Sequence, residues 1–136
     1  MPPSVLFVCV KNAGKSQMAA ALMKHATGDV VEVHSAGTEP GTVINALSAQ
    51  VLAESGIDIA GQTPKPIDPQ LLDRVDLIVT LGRQAVVDHR GAAVVNWDTD
   101  EPSLRGVHGI ERMRLIRDDI ADRTRRLAIE LLEQHD

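Results

Sequence analysis

The densest chemistry in this chain lies in one octapeptide, Cys9-Val10-Lys11-Asn12-Ala13-Gly14-Lys15-Ser16. It follows the apolar run Val5-Leu6-Phe7-Val8 and leads into the helix formers that start at Ser16. A loop in that setting can turn successive backbone N–H groups inward as an anion nest, and the helix N-terminus adds partial positive charge. Lys15 follows Cys9 by six positions, which on a closed loop brings its ammonium round to the same anion. Lys11 supplies a second local cation. Asn12 tolerates the left-handed backbone conformation that such a loop often needs. Ser16 can cap the helix or donate to the cysteine sulfur. Nearby cations and a helix N-terminus both favour the thiolate, the reactive form of cysteine. The expected object is a thiolate nucleophile, Cys9, beside a cradle for a tetrahedral oxyanion built from Val10, Lys11, Asn12, Ala13, Gly14, Lys15 and Ser16.

Two other readings compete for these residues. Without its context, Cys9 is a small apolar residue ending a core strand, since free cysteines are commonly buried. The Asn, Gly, Lys and Ser residues just downstream turn that reading over. Gly14-Lys15-Ser16 also matches the end of the nucleotide-binding pattern GxxxxGK[ST], but Cys9 occupies the first glycine position. No strand-terminal aspartate for magnesium comes with an element to recognise a base, so a nucleotide-hydrolysing site is set aside.

The elements that must position this loop alternate along the chain. Val5 to Val8, Val30 to His34, Leu77 to Leu81 and Ala92 to Asn96 read as buried strands, the second ending in a turn at Ser35-Ala36-Gly37. Residues 16–26 read as a helix stopped by Gly28. Residues 43–55 place Ile44, Leu47 and Val51 on one helical face and stop at Gly56. Gln62 to Pro66 is a loop, because Pro64 and Pro66 forbid a helix there. From Gly109 to Glu133, an apolar stripe of Ile110, Met113, Ile116, Ile120, Leu127 and Leu131 runs among arginines and aspartates. Apolar strands separated by helices imply an α/β domain with a four-stranded, doubly wound parallel sheet. Ligands of such sheets bind outside the carboxyl ends of the strands. Cys9 and residues 97–102 then share one edge of the molecule.

Composition narrows the function further. The 136 residues carry 14 Lys+Arg against 19 Asp+Glu, a net charge of −5, with one Cys, one Trp, one Phe and no Tyr. That length fits one domain, residues 1–136, with neither a repeat nor a composition break. One cysteine excludes an intramolecular disulfide framework and a Cys-rich metal site. The acidic balance and scarcity of aromatics argue against nucleic acid as a partner. No apolar run reaches a membrane span, and the start MPPSVLFVCV lacks a basic n-region and a small-residue cleavage site, so no membrane association and a cytoplasmic location are expected. The histidines His25, His34, His89, His108 and His135 show no metal spacing, so no metal site is expected. The arginines Arg112, Arg114, Arg117, Arg123, Arg125 and Arg126 read as a solvated, ion-paired face.

The loop resembles the signature of the low-molecular-weight protein tyrosine phosphatases and of the arsenate reductases built on the same fold: a Cys, five residues, an Arg and a Ser after the first strand. Here it stands as Phe7-Val8-Cys9-Val10-Lys11-Asn12-Ala13-Gly14-Lys15-Ser16-Gln17-Met18-Ala19. The resemblance continues in His34-Ser35-Ala36-Gly37-Thr38, Gly56-Ile57-Asp58-Ile59, Ile78-Val79-Thr80-Leu81 and Trp97 to Pro102. The Ser-Gln-Met-Ala continuation and the tryptophan before the acidic segment look more like the arsenate reductases.

The resemblance implies an enzyme that reduces arsenate in arsenic detoxification, binds no resident cofactor, and needs a carboxylic acid to protonate the leaving oxygen. The family places an Asp directly before a Pro. In Trp97-Asp98-Thr99-Asp100-Glu101-Pro102 the direct match is Glu101 and Asp100 lies one step earlier; both stay candidates, with Asp100 favoured on chemical type. Lys15 stands where the family has arginine, which keeps the charge but loses a bidentate clamp. Phosphatase members hold an aryl ring with aromatics, and this chain offers only Trp97 as an exposed candidate, which favours a small inorganic oxyanion. Thioredoxin-linked members carry two further cysteines after the third strand, and residues 81–89 here hold none. The chain is therefore most similar to the single-cysteine arsenate–mycothiol transferases. Their implied partners are an external low-molecular-weight thiol, mycothiol, and a mycoredoxin or glutaredoxin-like recycling protein. A phosphomonoester hydrolase and a non-catalytic oxyanion-binding module are the alternatives.

Overall fold

The computed structural model describes residues 2–88 and 91–134. His89 and His135, two of the histidines considered above, lie outside the described residues. Strands β1 (Ser4–Cys9), β2 (Glu32–Gly37), β3 (Leu77–Leu81) and β4 (Ala93–Trp97) form one parallel sheet in the order β2-β1-β3-β4. The chain leaves β1 to one side for β2 and returns to the other side for β3. The carboxyl end of β1 is thus the point where strand order reverses, the place where open α/β sheets bind ligands. Cys9 is the last residue of that strand.

Both faces of the sheet are covered, and strand alternation sorts the core between them. Val5 and Phe7 of β1 and Val79 and Leu81 of β3 pack against α1 (Lys15–Thr27), α2 (Ala46–Glu54) and α4 (Gly109–Gln134). Leu6, Val8 and Ile78 point the other way, toward Leu72 of the short helix α3 (Pro69–Arg74) and toward Ala85. The central strand β1 is buried on both faces, which is why its residues read as an unbroken apolar run. Helix α1 stops where expected: Gly28 takes φ +60° and gives its N–H to Lys24 O. The stripe on α4 is buried at Met113, Ile116, Ile120, Leu127 and Leu131, with Ile110 half-buried.

Five local expectations need correction. Ser35-Ala36-Gly37 is not a turn; it is the end of β2, paired in register with Phe7, Val8 and Cys9, while Val30 lies before the strand and is exposed. The second helix begins at Ala46 rather than 43, because the preceding residues bond to the nucleophile loop and Asn45 caps the helix by accepting from Ser48 N at 3.0 Å. Helix α3 was not expected. Its six residues are too few to show a period, although Asp68 as cap and Pro69 as first residue are a start signal. Strand β4 is not buried: it pairs only with β3, the helices pack on its neighbours instead, and Ala93 to Asn96 are exposed. Trp97 is not an exposed ring. It is 8% exposed and packs on Phe7 with ring centroids 5.5 Å apart.

The α4 arginines do more than decorate a solvated face. Arg114 and Arg117 both reach Glu54 of α2, and Arg112 reaches Glu101 beyond β4. They cross-link elements. No helix among the described residues is long and apolar enough to cross a membrane.

Candidate active site

The shape of the Cys9–Ser16 loop is imposed from outside by the segment that follows β2. Thr38, Glu39, Gly41 and Asn45 donate their N–H groups to the carbonyls of Cys9, Val10, Lys11 and Ala13 at 3.1, 2.8, 2.9 and 2.7 Å. In a trans peptide the next N–H points opposite to the carbonyl, and the described chain has no cis bond. Those four outward carbonyls therefore turn the N–H groups of Val10, Lys11, Asn12 and Gly14 to the other side. The loop thereby takes the form of an anion nest, shaped by a strip of backbone rather than by the loop alone.

Gly37 makes that approach possible. A Cβ there would sit 2.7 Å from Val10 O and 3.0 Å from both the N and Cβ of Asn12. Asn12 takes φ +53°, the left-handed conformation expected of it. Its side chain is fully buried and hydrogen-bonded at both Nδ2 and Oδ1. Asn12 Nδ2 donates to Ser16 Oγ at 2.7 Å, and Asn12 Oδ1 accepts from Gln17 Nε2 and Lys65 N, both at 3.0 Å.

The sulfur sits inside this network. Asn12 N donates to Cys9 Sγ at 3.2 Å, and Ser16 Oγ lies 2.9 Å from it. Because Ser16 Oγ receives the Asn12 amide proton, its own hydrogen is free to be given to sulfur. Of the two roles open to Ser16, the structure takes the sulfur contact. The helix cap is Gly14, without a side-chain bond. Cys9 is half-buried, so the thiol is held rather than sealed. Lys15 is the first residue of α1, half-buried and without an ion pair; Lys11 is exposed. Val10, Ala13 and Gly14 complete the loop as half-buried positions.

The acidic segment is brought to the same edge. The positive charge of Lys15 acts on Asp98, Asp100 and Glu101 together. Each of the two acid candidates is gripped by its own arginine. Arg105 takes both oxygens of Asp100 at 2.8 and 2.9 Å, and Arg112 takes both oxygens of Glu101 at 3.0 and 2.7 Å. These hydrogen bonds hold both carboxyls below the usual carboxylate range, against an opposing effect of burial. The backbone of the segment is clamped from α4. Asp119 Oδ2 accepts from Asp100 N at 2.7 Å, Arg123 donates to Asp98 O at 3.0 Å, and Arg123 also bonds Asp119 at 3.1 Å.

The sequence marks Cys9, its loop and the acidic segment as candidates, but not what holds them. By sequence Gly37 reads as part of a turn and Gln17 as part of a helix, and Lys65, Arg105, Arg112, Asp119 and Arg123 carry no role at the site. Arg123 and Asp119 stand four apart on α4, but the other side-chain partners lie from 5 to 53 positions away, beyond helical spacing. Among the described residues, no three His, Cys, Asp or Glu side chains gather closely enough to hold a metal ion.

Known proteins resemble this chain over most of its length. A putative arsenate reductase of Halobacterium salinarum is 32% identical over 123 residues, spanning 86% of this chain and 84% of that one. An arsenate reductase of Bacillus cereus is 37% identical over 130 residues, spanning 92% and 93%. Among solved structures, the thioredoxin-dependent arsenate reductase of Corynebacterium glutamicum superposes with a TM-score of 0.81 at 33% identity. The match covers 98% of this chain but 63% of that longer protein. The arsenate reductase of Archaeoglobus fulgidus gives 0.74 at 31% identity, covering 91% and 98%. The profile of the low molecular weight phosphotyrosine protein phosphatase family matches residues 4–136. With the nucleophile loop at the β1 switch point and the acidic segment beside it, the chain belongs to that family.

Proposed function

We propose that this protein is an arsenate reductase that performs the first, thiol-dependent half of the redox cycle and passes the arsenic to an external thiol. One observation carries the reading. Cys9 is held by Ser16 Oγ and the Asn12 N–H at the mouth of an oxyanion nest, and it is the only cysteine in the chain. The names of the relatives support arsenate as the oxyanion. So does the absence of an aromatic wall: Phe7 and Trp97 are the only rings of the Phe, Trp and Tyr set, and both are buried. An aryl phosphate would find nothing to stack on.

The Cys9 thiolate attacks arsenic(V), forming an S–As bond while one As–O bond breaks. The departing oxygen leaves as water with a proton from Asp100 or Glu101. Loop amides and the Lys15 ammonium neutralise charge on the remaining oxygens. An external thiolate then attacks arsenic and frees Cys9. A second external thiolate attacks the sulfur of that new S–As bond, forming a disulfide and releasing arsenite. The two thiols lose the two electrons that reduce As(V) to As(III).

The external thiol in this reading is a low-molecular-weight one, mycothiol, with a mycoredoxin or glutaredoxin-like protein closing the cycle in the cytoplasm. The test offers arsenate with mycothiol and mycoredoxin, with glutathione and glutaredoxin, or with thioredoxin, and measures arsenite; an aryl phosphate is run alongside. Arsenite production with a small-thiol system, abolished in Cys9→Ser, is the expected result. Turnover with thioredoxin alone overturns the small-thiol assignment. Phosphate release without arsenate reduction makes the chain a phosphomonoester hydrolase, and binding without turnover makes it an oxyanion-binding module.

A further inference from the structure

The cations of this protein are sorted by type. All nine arginines among the described residues pair with carboxylates. None of the four lysines does. In a chain of net charge −5 with 19 carboxylates, four unpaired lysines are four cations kept for something else. Lys11 and Lys15 belong to the nucleophile loop. The other two, Lys24 and Lys65, both line one cavity between α1, β2 and the segment after α2.

That cavity measures about 460 Å³, within the range of small-molecule sites. Ala20, Ala21, Ile57 and Ile59 give it an apolar lining. Its charged groups are Lys24, Lys65 and Asp58, with the imidazoles of His25 and His34. Asp58 is engaged by Ala60 N at 2.9 Å, and His34 lies 3.1 Å from Glu32, which also binds Arg74. The Lys65 ammonium is half-buried and has one partner, Ser35 Oγ at 3.2 Å, so it keeps donors unused. Burial without a carboxylate pushes it below the usual lysine range. A bound anion would remove that penalty.

The same residues lead to the nucleophile. Lys65 N and Gln17 Nε2 share Asn12 Oδ1, and Gln17 also lines the cavity. Asn12 in turn gives its N–H to Cys9 Sγ. We propose that this cavity is a second anion site, taking a small organic molecule whose carboxylate or phosphate group binds Lys65 and Lys24, and that its occupancy is felt at Asn12 in the nucleophile loop.

The test is residue-resolved NMR on the intact chain, titrated with inorganic phosphate in one arm and malonate in the other. Saturable shifts at the His25 and His34 imidazoles and the Gln17 and Lys65 amides are expected in at least one arm, which also tells phosphate from carboxylate. The Asn12 amide should follow the same saturation curve. Lys24→Gln and Lys65→Met should each weaken these shifts about tenfold, the loss of a charge-assisted hydrogen bond. Lys24→Gln changes an exposed side chain outside the loop network, so its effect stands even if Lys65→Met disturbs folding. Shifts confined to residues 10–16, shifts that rise without saturating, or a Lys24→Gln variant that binds as the wild type does would overturn the proposal. The site does not depend on arsenate being the substrate.

Discussion

Replacing Gly37 by alanine tests whether the nest is shaped by its contact with β2. The added Cβ would lie 2.7 Å from Val10 O, against the 3.4 Å at which ordinary contact begins. One side must yield by about 0.7 Å, and both are backbone: β2 locked into the sheet, and the loop that carries the anion-binding N–H groups. Because β2 is held by the sheet ladder, the shift is expected in the loop. Overpacking of this kind costs about 1–3 kcal/mol of stability. A misplacement approaching 1 Å at a reacting centre costs roughly 100-fold in rate. We therefore expect Gly37→Ala to lose about 10- to 100-fold in kcat/KM for arsenate, with a drop in Tm of a few degrees per kcal/mol. Gly56→Ala is the control: Gly56 has φ +78° and open space around its would-be Cβ, so it pays about 1–2 kcal/mol of backbone strain without touching the loop. Steady-state kinetics, thermal unfolding and the rate of Cys9 alkylation at fixed pH separate the two variants. A Gly37→Ala enzyme that loses stability as Gly56→Ala does but keeps wild-type kcat/KM would refute the argument.

Three further outcomes follow from the ion pairs. The arginines hold Asp100 and Glu101 below the ordinary range, so an acid that must be protonated to act loses activity as pH rises through its depressed pKa. Removing the arginine raises that pKa and moves the limb to higher pH: Arg105→Gln shifts the profile if Asp100 is the acid, Arg112→Gln if Glu101 is, and no shift in either excludes both. Asp119→Ala frees the Asp100 amide and Arg123, so kcat should fall about tenfold with an unchanged KM for arsenate and a stability loss of about 1–2 kcal/mol; unchanged kcat refutes the clamp. Glu54 is lowered from 4.5 to about 2, chiefly by its hydrogen bond to Arg114. A depressed carboxylate stabilises the fold above its unfolded value and loses that contribution as pH falls. The Tm gap between wild type and Glu54→Gln should therefore be full at pH 7, narrow below pH 4.5 and close near pH 2. A gap independent of pH would mean that Glu54 acts through packing.

The elements with long, uniform patterns were legible in the chain. The buried run of β1 and the stripe of α4 need only strand or helix periodicity and a two-sided core, and both stand where periodicity puts them. Local reading failed where a segment's fate depends on a distant partner. Ser35-Ala36-Gly37 has turn composition, yet pairing with Phe7, Val8 and Cys9 makes it strand. Ala93 to Val95 have core composition, yet the helices pack on the neighbouring strands instead and leave them exposed. Trp97 shows the reverse, since alternation along β4 turns it onto Phe7.

At the site, the sequence alone marked the candidate reacting groups: a lone cysteine, a loop able to take a positive φ at Asn12, a helix start beside it, and carboxyls after the last strand. These follow from residue type and short spacing, which survive without a fold. Tertiary structure decided the rest. It turned the loop's amides inward by bonding four carbonyls to residues 38–45, set Gly37 against Val10 and Asn12 where a Cβ would not fit, and fastened each acid to an arginine. It also gathered Lys24 and Lys65, 41 positions apart, around one cavity while giving every described arginine a carboxylate. Direction and pairing of this kind are properties of surfaces in contact, and a one-dimensional spacing does not contain them.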